Sequence, residues 1–311
     1  MKNTITKRKF EILRLSVTSN CNFSCFYCVP YKKNNLAENK SLNAEEFSRL
    51  VYNIHKINPL KMVRITGGEP ILYSSLESLI KQLKTMGIQK ISMTTNGSFL
   101  YKSIDKLKTA GLDEINISLD AVNNNIFEKI SGFNNIDVVL KSIEKALEAK
   151  ISVKLNCTIL KNINENQIIP VLEYAAKNKI IVRFLELMKM GHLVKNHEEF
   201  FYPESKILQT IREKYQFSAL KRNKSSTARY WCLDNGSIFG IIANHSTPFC
   251  SDCNRLRMDA RGYIYGCLSV NKGFIIENNK ENIRKNLEDA LSQKQTDYFT
   301  GSTLPMKSIG G

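Results

Sequence analysis

The chain has 311 residues, 42% of them apolar, which suits one large α/β domain or a domain with a smaller appendage. No apolar run reaches 18 residues, and the polar start "MKNTITKRKFEILRLSV" lacks the apolar stretch of a secretory signal, so the expected location is the cytoplasm. The formal net charge is +16, but the 33 lysines scatter along helix-like segments as a solvated face does, so neither nucleic acid nor a membrane surface is the expected partner.

Taken in chain order, "ILRLSVT" (12–18) reads as a strand, followed by the loop "CNFSCFYC" (21–28). A helix follows over 43–57, with Asn43 as N-cap and Glu46 closing a capping box. Five further strands are predicted: "MVRIT" (62–66), "ISMTT" (91–95), "INISLD" (115–120), "SVKLNCTIL" (152–160) and "IIVRFLEL" (180–187). Six strands alternating with helices predict parallel β/α units in one sheet, either doubly wound or an open, partial barrel. The cysteine loop, "TGGEP", "TTNG" and "SLD" all stand at strand C-terminal ends, so they converge on one rim, where ligands of such folds bind. From 191 to 230 the pattern loosens into what read as connecting or mobile segments. A second motif region covers 235–270, and a last helix near 280–294 precedes a tail ending "SIGG". The expected division is therefore 1–190 and 191–311.

Eight cysteines are many for a reducing compartment, where clustered thiols serve as metal ligands or catalytic groups. Cys21, Cys25 and Cys28 form C-x3-C-x2-C, which wraps three thiolates around three corners of a [4Fe–4S] cube and leaves one iron open. A zinc site would need a fourth ligand from elsewhere, and a redox dithiol only C-x2-C. Cys250, Cys253 and Cys267 form C-x2-C-x13-C, either a zinc knuckle completed by Cys232 or His245 or an auxiliary [4Fe–4S] site with another open iron. Within it Arg255 and Arg257 project to one side if the segment is extended, and arginine suits bidentate phosphate contacts. Cys157, inside an apolar run, reads as core, and Cys232 as a packed thiol.

The first triad after a first strand, Tyr27 before its last cysteine and "GGEP" at 67–70 resemble the radical S-adenosylmethionine superfamily. That resemblance implies an open iron chelating the amino and carboxylate groups of S-adenosylmethionine. An electron from the cluster would then cleave its S–C5′ bond to give a 5′-deoxyadenosyl radical. With "PFCSDCNRLR", "YGCL" and "SIGG" added, the chain from about residue 10 onward resembles the molybdenum cofactor biosynthesis protein A family, the GTP 3′,8-cyclases. The resemblance implies abstraction of the ribose C3′ hydrogen of GTP and C3′–C8 bond formation. The product is (8S)-3′,8-cyclo-7,8-dihydroguanosine 5′-triphosphate, passed to a cyclic pyranopterin monophosphate synthase. It further implies two [4Fe–4S] clusters, a flavodoxin- or ferredoxin-type electron donor and a homodimer.

Carried over residue by residue, the resemblance assigns Tyr27, Gly68, Ser118 and Met188 to S-adenosylmethionine. It assigns Arg14, Arg64, Thr94, Lys154, Arg183, Arg255, Leu256 and Arg257 to GTP, and Gly310 and Gly311 to a tail that enters the active site. The chain departs from the family in "TSNC" for "TDRC", in Val29 for the usual Met after the third cysteine, and in Tyr73 and Ser74 for an Arg-rich stretch. Two other readings remain open: a related radical enzyme whose auxiliary cluster serves a peptide or other substrate, and a zinc-containing nucleic-acid module.

Overall fold

A computed structural model describes residues 8–30, 41–277 and 279–309. The six expected strands are β1 (Ile12–Ser16), β2 (Met62–Thr66), β3 (Lys90–Thr95), β4 (Glu114–Ser118), β5 (Ser152–Ile159) and β6 (Ile181–Glu186), all parallel to their neighbours. Between them run α1 (Ala44–Ile57), α2 (Leu76–Thr85), α3 (Ile104–Ala110), α4 (Asn124–Ser131), α5 (Ile136–Glu148) and α6 (Ile168–Lys177). Asn43 caps α1 and the Glu46 carboxylate returns to the Asn43 N–H, so the capping box forms as expected.

The segment after residue 190 is more ordered than its loose pattern suggests. It carries α7 (His197–Phe200) and α8 (Glu204–Arg212), then β7 (Phe217–Ala219), β8 (Arg229–Leu233), β9 (Ile238–Ile242), β10 (Arg255–Met258), β11 (Tyr263–Tyr265) and β12 (Phe274–Ile275). Buried Ile207 and Ile211 seat α8 on the core, a two-residue anchor too short to show as periodicity. The helices α9 (Lys280–Ser292) and α10 (Met306–Ile309) complete the described chain.

One sheet joins everything in the order β12-β11-β10-β1-β2-β3-β4-β5-β6-β9-β8-β7. β10 pairs in parallel with β1 and β9 in parallel with β6, so eight strands run parallel where six were expected. Antiparallel β11 and β12 flank one end and β8 and β7 the other. β9 and β10 are not paired to each other, which leaves the barrel open.

Strand alternation sorts the side chains onto two faces. Leu13, Leu15, Val63, Ile65, Ile91, Met93, Ile115, Ile117, Leu155, Val182 and Phe184 point outward into a helix-covered core and are fully buried. Cys157 joins that core, as expected. The intervening positions carry polar and charged groups toward the concave side, where Arg257, Arg14 and Arg64 lie side by side in register.

Candidate active site

Cys21, Cys25 and Cys28 follow the C-terminal end of β1 in a loop held from two sides. Ser24 N and Phe26 N donate to the carbonyls of Ser131 and Ile130 at the end of α4 (2.9 and 2.8 Å). From the other side Gly68 N donates to Thr18 O and Glu69 N to Asn20 O, both at 2.7 Å. Gly67 sits at φ +152°, and a Cβ on Gly68 would fall 2.1 Å from Asn20 O. The double glycine thus lets the "TGGEP" backbone press against the cysteine loop. Glu69 Oε1 accepts from Thr95 Oγ1 (2.7 Å) and Oε2 from Asn96 N (2.7 Å), tying the loops after β2 and β3 together. Burial nonetheless lifts its carboxyl to about 7.

Burial also drives the thiols upward: Cys21 to about 11, Cys28 to about 12 and Cys25 well above its usual value, with the charges of the other cysteines adding to the last two. Three thiolates here need a positive group among them. Tyr27 OH donates to Asp120 Oδ2 (2.8 Å), while Asp120 Oδ1 accepts from Thr158 N (2.7 Å).

The second triad stands at the opposite end of the strands. Cys250 and Cys253 precede β10 and Cys267 follows antiparallel β11, so all three sit near the N-terminal end of β1. β1 spans five residues, roughly 13 Å from first to last Cα. Buried Lys294 donates to Cys253 Sγ at 3.2 Å and to the Arg255 carbonyl. Burial alone would raise the Cys253 thiol, but Arg255 and Lys294 outweigh it and bring it down to about 6.

One cavity of about 440 Å³ is lined by both triads and by the residues between them. Among those expected to meet S-adenosylmethionine, Tyr27, Gly68, Ser118 and Met188 all line it. So do Arg14, Arg64, Thr94, Lys154, Arg183, Arg255 and Arg257. Leu256 does not: alternation along β10 turns it away from the two arginines into the core, where it is fully buried, so its side chain has no access to a nucleotide. Gly310 and Gly311 lie outside the described residues. The chain nevertheless arrives at the cavity before them, with Met306 and Lys307 lining it and the Ile309 carbonyl accepting from Arg257 Nη1 (3.3 Å).

Several polar atoms of this wall are buried without a hydrogen-bond partner: Arg14 Nε, Thr94 Oγ1, Arg183 Nε and Arg255 Nη2. Burial and the adjacent Arg257, Arg64, Arg255 and Arg183 push the Arg14 guanidinium well below its usual value. Such a surface asks for an anion with many acceptors. Residues the sequence pattern left out complete the site. Glu114 accepts from Lys90 and Lys154, and Asn116 and Asn156 hold the Arg183 guanidinium. Period-two counting from Ser118 and Lys154 reaches Glu114, Asn116, Asp120 and Asn156. Lys294 carries no such signal.

Residues 15–175 match the Radical SAM superfamily model and residues 180–300 the Molybdenum Cofactor Synthesis C model. A GTP 3′,8-cyclase of Aliarcobacter butzleri is 37% identical over 277 residues, covering 87% of this chain and 84% of that one. Those of Staphylococcus carnosus and Helicobacter pylori are 37% and 35% identical, covering 91% and 92% of this chain and 85% and 91% of theirs. The chain belongs to the GTP 3′,8-cyclase family of radical SAM enzymes. In fold this family member is similar to Streptococcus suis SuiB bound to precursor peptide SuiA, with a TM-score of 0.65 at 17% identity over 91% of this chain and 65% of that larger one.

The superfamily works with S-adenosylmethionine and an iron–sulfur cluster, and the first triad has the donor set for the latter. Among the described residues no three His, Cys, Asp or Glu side chains converge on a single metal ion. A cube with a separate iron at each corner does not ask them to. Neither fourth ligand considered for a zinc knuckle lines the cavity: Cys232 Sγ bonds to Leu233 O, and His245 packs on the Phe201 ring at 4.9 Å. No helix of the described residues is long and apolar enough to cross a membrane.

Proposed function

We propose that the protein is a GTP 3′,8-cyclase working in the cavity between its two cysteine triads. The observation that supports this reading is the single cavity itself, lined by both triads and by the unpartnered buried atoms of Arg14, Thr94, Arg183 and Arg255. A guanosine triphosphate supplies acceptors for such a wall. In this reading Cys21, Cys25 and Cys28 would hold a [4Fe–4S] cluster beside the S-adenosylmethionine site. Cys250, Cys253 and Cys267 would hold a second, which would supply an anchor for the guanine. When bound, the first cluster and S-adenosylmethionine supply a 5′-deoxyadenosyl radical at that end of the cavity.

The chain's own residues place the substrate for it. Gly68, Tyr27, Ser118 and Met188 line the end near the first triad and position S-adenosylmethionine. Arg255 and Arg257 orient the guanine beside the second triad, with Lys294 fixing Cys253. Arg14, Arg64, Thr94, Lys154 and Arg183 hold the ribose triphosphate between. GTP gives its C3′ hydrogen atom to the 5′-deoxyadenosyl radical, which leaves as 5′-deoxyadenosine. C3′ then bonds to C8 as the C8–N7 π bond opens, and one electron from the reduced donor and one proton at N7 complete (8S)-3′,8-cyclo-7,8-dihydroguanosine 5′-triphosphate.

Residues 1–190 form the radical SAM partial barrel, and 191–311 a C-terminal region that adds the second triad, further substrate-binding residues and the Gly-Gly tail. Gly310 and Gly311, next in sequence after Ile309, act with Arg14 in cofactor cleavage. A flavodoxin- or ferredoxin-type donor supplies electrons to a cytoplasmic homodimer, and a cyclic pyranopterin monophosphate synthase consumes the product. Anaerobic reconstitution is expected to load about eight irons per chain. Adding S-adenosylmethionine, reductant and GTP should then yield the cyclised nucleotide. Stoichiometric zinc with little iron, or 5′-deoxyadenosine formed only with a peptide or other substrate, contradicts the reading.

A further inference from the structure

Glu114 opens β4 with its side chain 1% exposed, yet three cations share it. Its Oε2 accepts from Lys90 Nζ at 2.7 Å and from Lys154 Nζ at 2.6 Å, and its Oε1 faces Arg64 Nη2 at 3.4 Å. Each of four consecutive strands, β2 to β5, contributes one of these charges, and all four residues line the cavity. A carboxylate buried for structural reasons needs one cation, and here two positive charges are left over. Among the described residues each ammonium spends one of its three donors on Glu114, which leaves two for a ligand. Arg64 is aimed by its Nε, which donates to Ser92 Oγ at 3.0 Å. Lys90 is the most exposed of the three, at 39%, against 23% for Lys154 and 19% for Arg64. As the first residue of β3 it stands at the N-terminal end of the strands and, of the three, nearest to solvent, where the outermost charge of a bound polyanion would lie.

We propose that Lys90 joins Arg64 and Lys154 as a binding site for the terminal phosphates of the nucleotide, with Glu114 as an internal anion that occupies these cations and offsets part of their attraction. The proposal rests on the reading of the cavity as a GTP site and adds to it a residue and a countercharge. It assigns Glu114 a specificity role, since a ligand gains only if its charge outbids a fixed carboxylate. GTP does so, and GMP, lacking the outer phosphates, does not reach the triad.

The test is equilibrium binding of GTP, GMP and inorganic triphosphate to the anaerobically reconstituted enzyme. Lys90→Ala is expected to raise the Kd for GTP roughly tenfold and to leave GMP nearly unchanged, with Lys90→Arg restoring most of the loss. Glu114→Gln is expected to tighten GTP at least about threefold. Inorganic triphosphate is expected to compete with GTP on the wild type and to lose that competition in Lys90→Ala. An unchanged Kd for GTP, or equal losses for GTP and GMP, in a Lys90→Ala protein of wild-type thermal midpoint overturns the assignment. Weaker GTP binding by Glu114→Gln overturns its role as a competing anion. A wild type that binds GTP no better than GMP overturns the triad, and one that binds neither overturns the cyclase reading as well.

Discussion

Glu114 stays ionised far into acid because of its neighbours. Burial by itself would raise its carboxyl, but the hydrogen bonds from Lys154 and Lys90 outweigh burial and hold it at about 2, against 4.5 for an ordinary glutamate. A depressed carboxyl stabilises the fold above its unfolded value and loses that stabilisation as pH falls from about 4.5 toward about 2. The stability gap between wild type and Glu114→Gln, read from urea unfolding, is therefore expected to be full above pH 4.5, on the order of 3 kcal/mol, and to close toward pH 2. A gap independent of pH across that window contradicts the ion-pair account. Glu69 shows the reverse case: its carboxyl is lifted to about 7, so its ionisation costs stability as pH rises through that value. Period-two counting from Ser118 reaches Glu114, but a lone glutamate opening a strand carries no motif that assigns it a role. Only the register that puts it between Lys90 and Lys154 gives it a role.

The elements carry the site through their ends. The cysteine loop is gripped between the double glycine after β2 and the last turn of α4, and both grips are backbone to backbone. Gly68→Ala would place a methyl 2.1 Å from the Asn20 carbonyl and force the loop away from β2. Reconstituted iron is then expected to fall from about eight to about four per chain, the second triad keeping its share. Iron retained at the wild-type level contradicts this role for the glycines. Much at this scale was legible beforehand. All six expected strands formed within two residues of their predicted bounds, and the α1 capping box closed, because period-two alternation and capping chemistry are local. What stayed hidden was pairing. "IFGII" and "RLRM" are short enough that nothing local says they will extend the parallel sheet at its two ends. For the same reason the strand that aims Arg255 and Arg257 inward also turns Leu256 outward, which a motif read as a block does not reveal.

At the scale of the whole molecule, the sheet is a spacer. Its strands set two cysteine triads at opposite ends of one cavity, with arginine from β10, β1, β2 and β6 along the wall between them. If the substrate is anchored at the second triad as proposed, it would extend toward the first, and the strand length would set which part of it meets that end. Among the described residues, several of the cations behind the net charge of +16 face this one space. Cyclisation of GTP by the proposed route takes the substrate hydrogen from the ribose C3′. The direct measurement is mass spectrometry of 5′-deoxyadenosine formed from GTP carrying deuterium at C3′, in the anaerobically reconstituted enzyme with S-adenosylmethionine and reductant. One deuterium transferred into 5′-deoxyadenosine, together with the cyclised nucleotide, is the predicted result. Unlabelled 5′-deoxyadenosine with GTP recovered unchanged would contradict it.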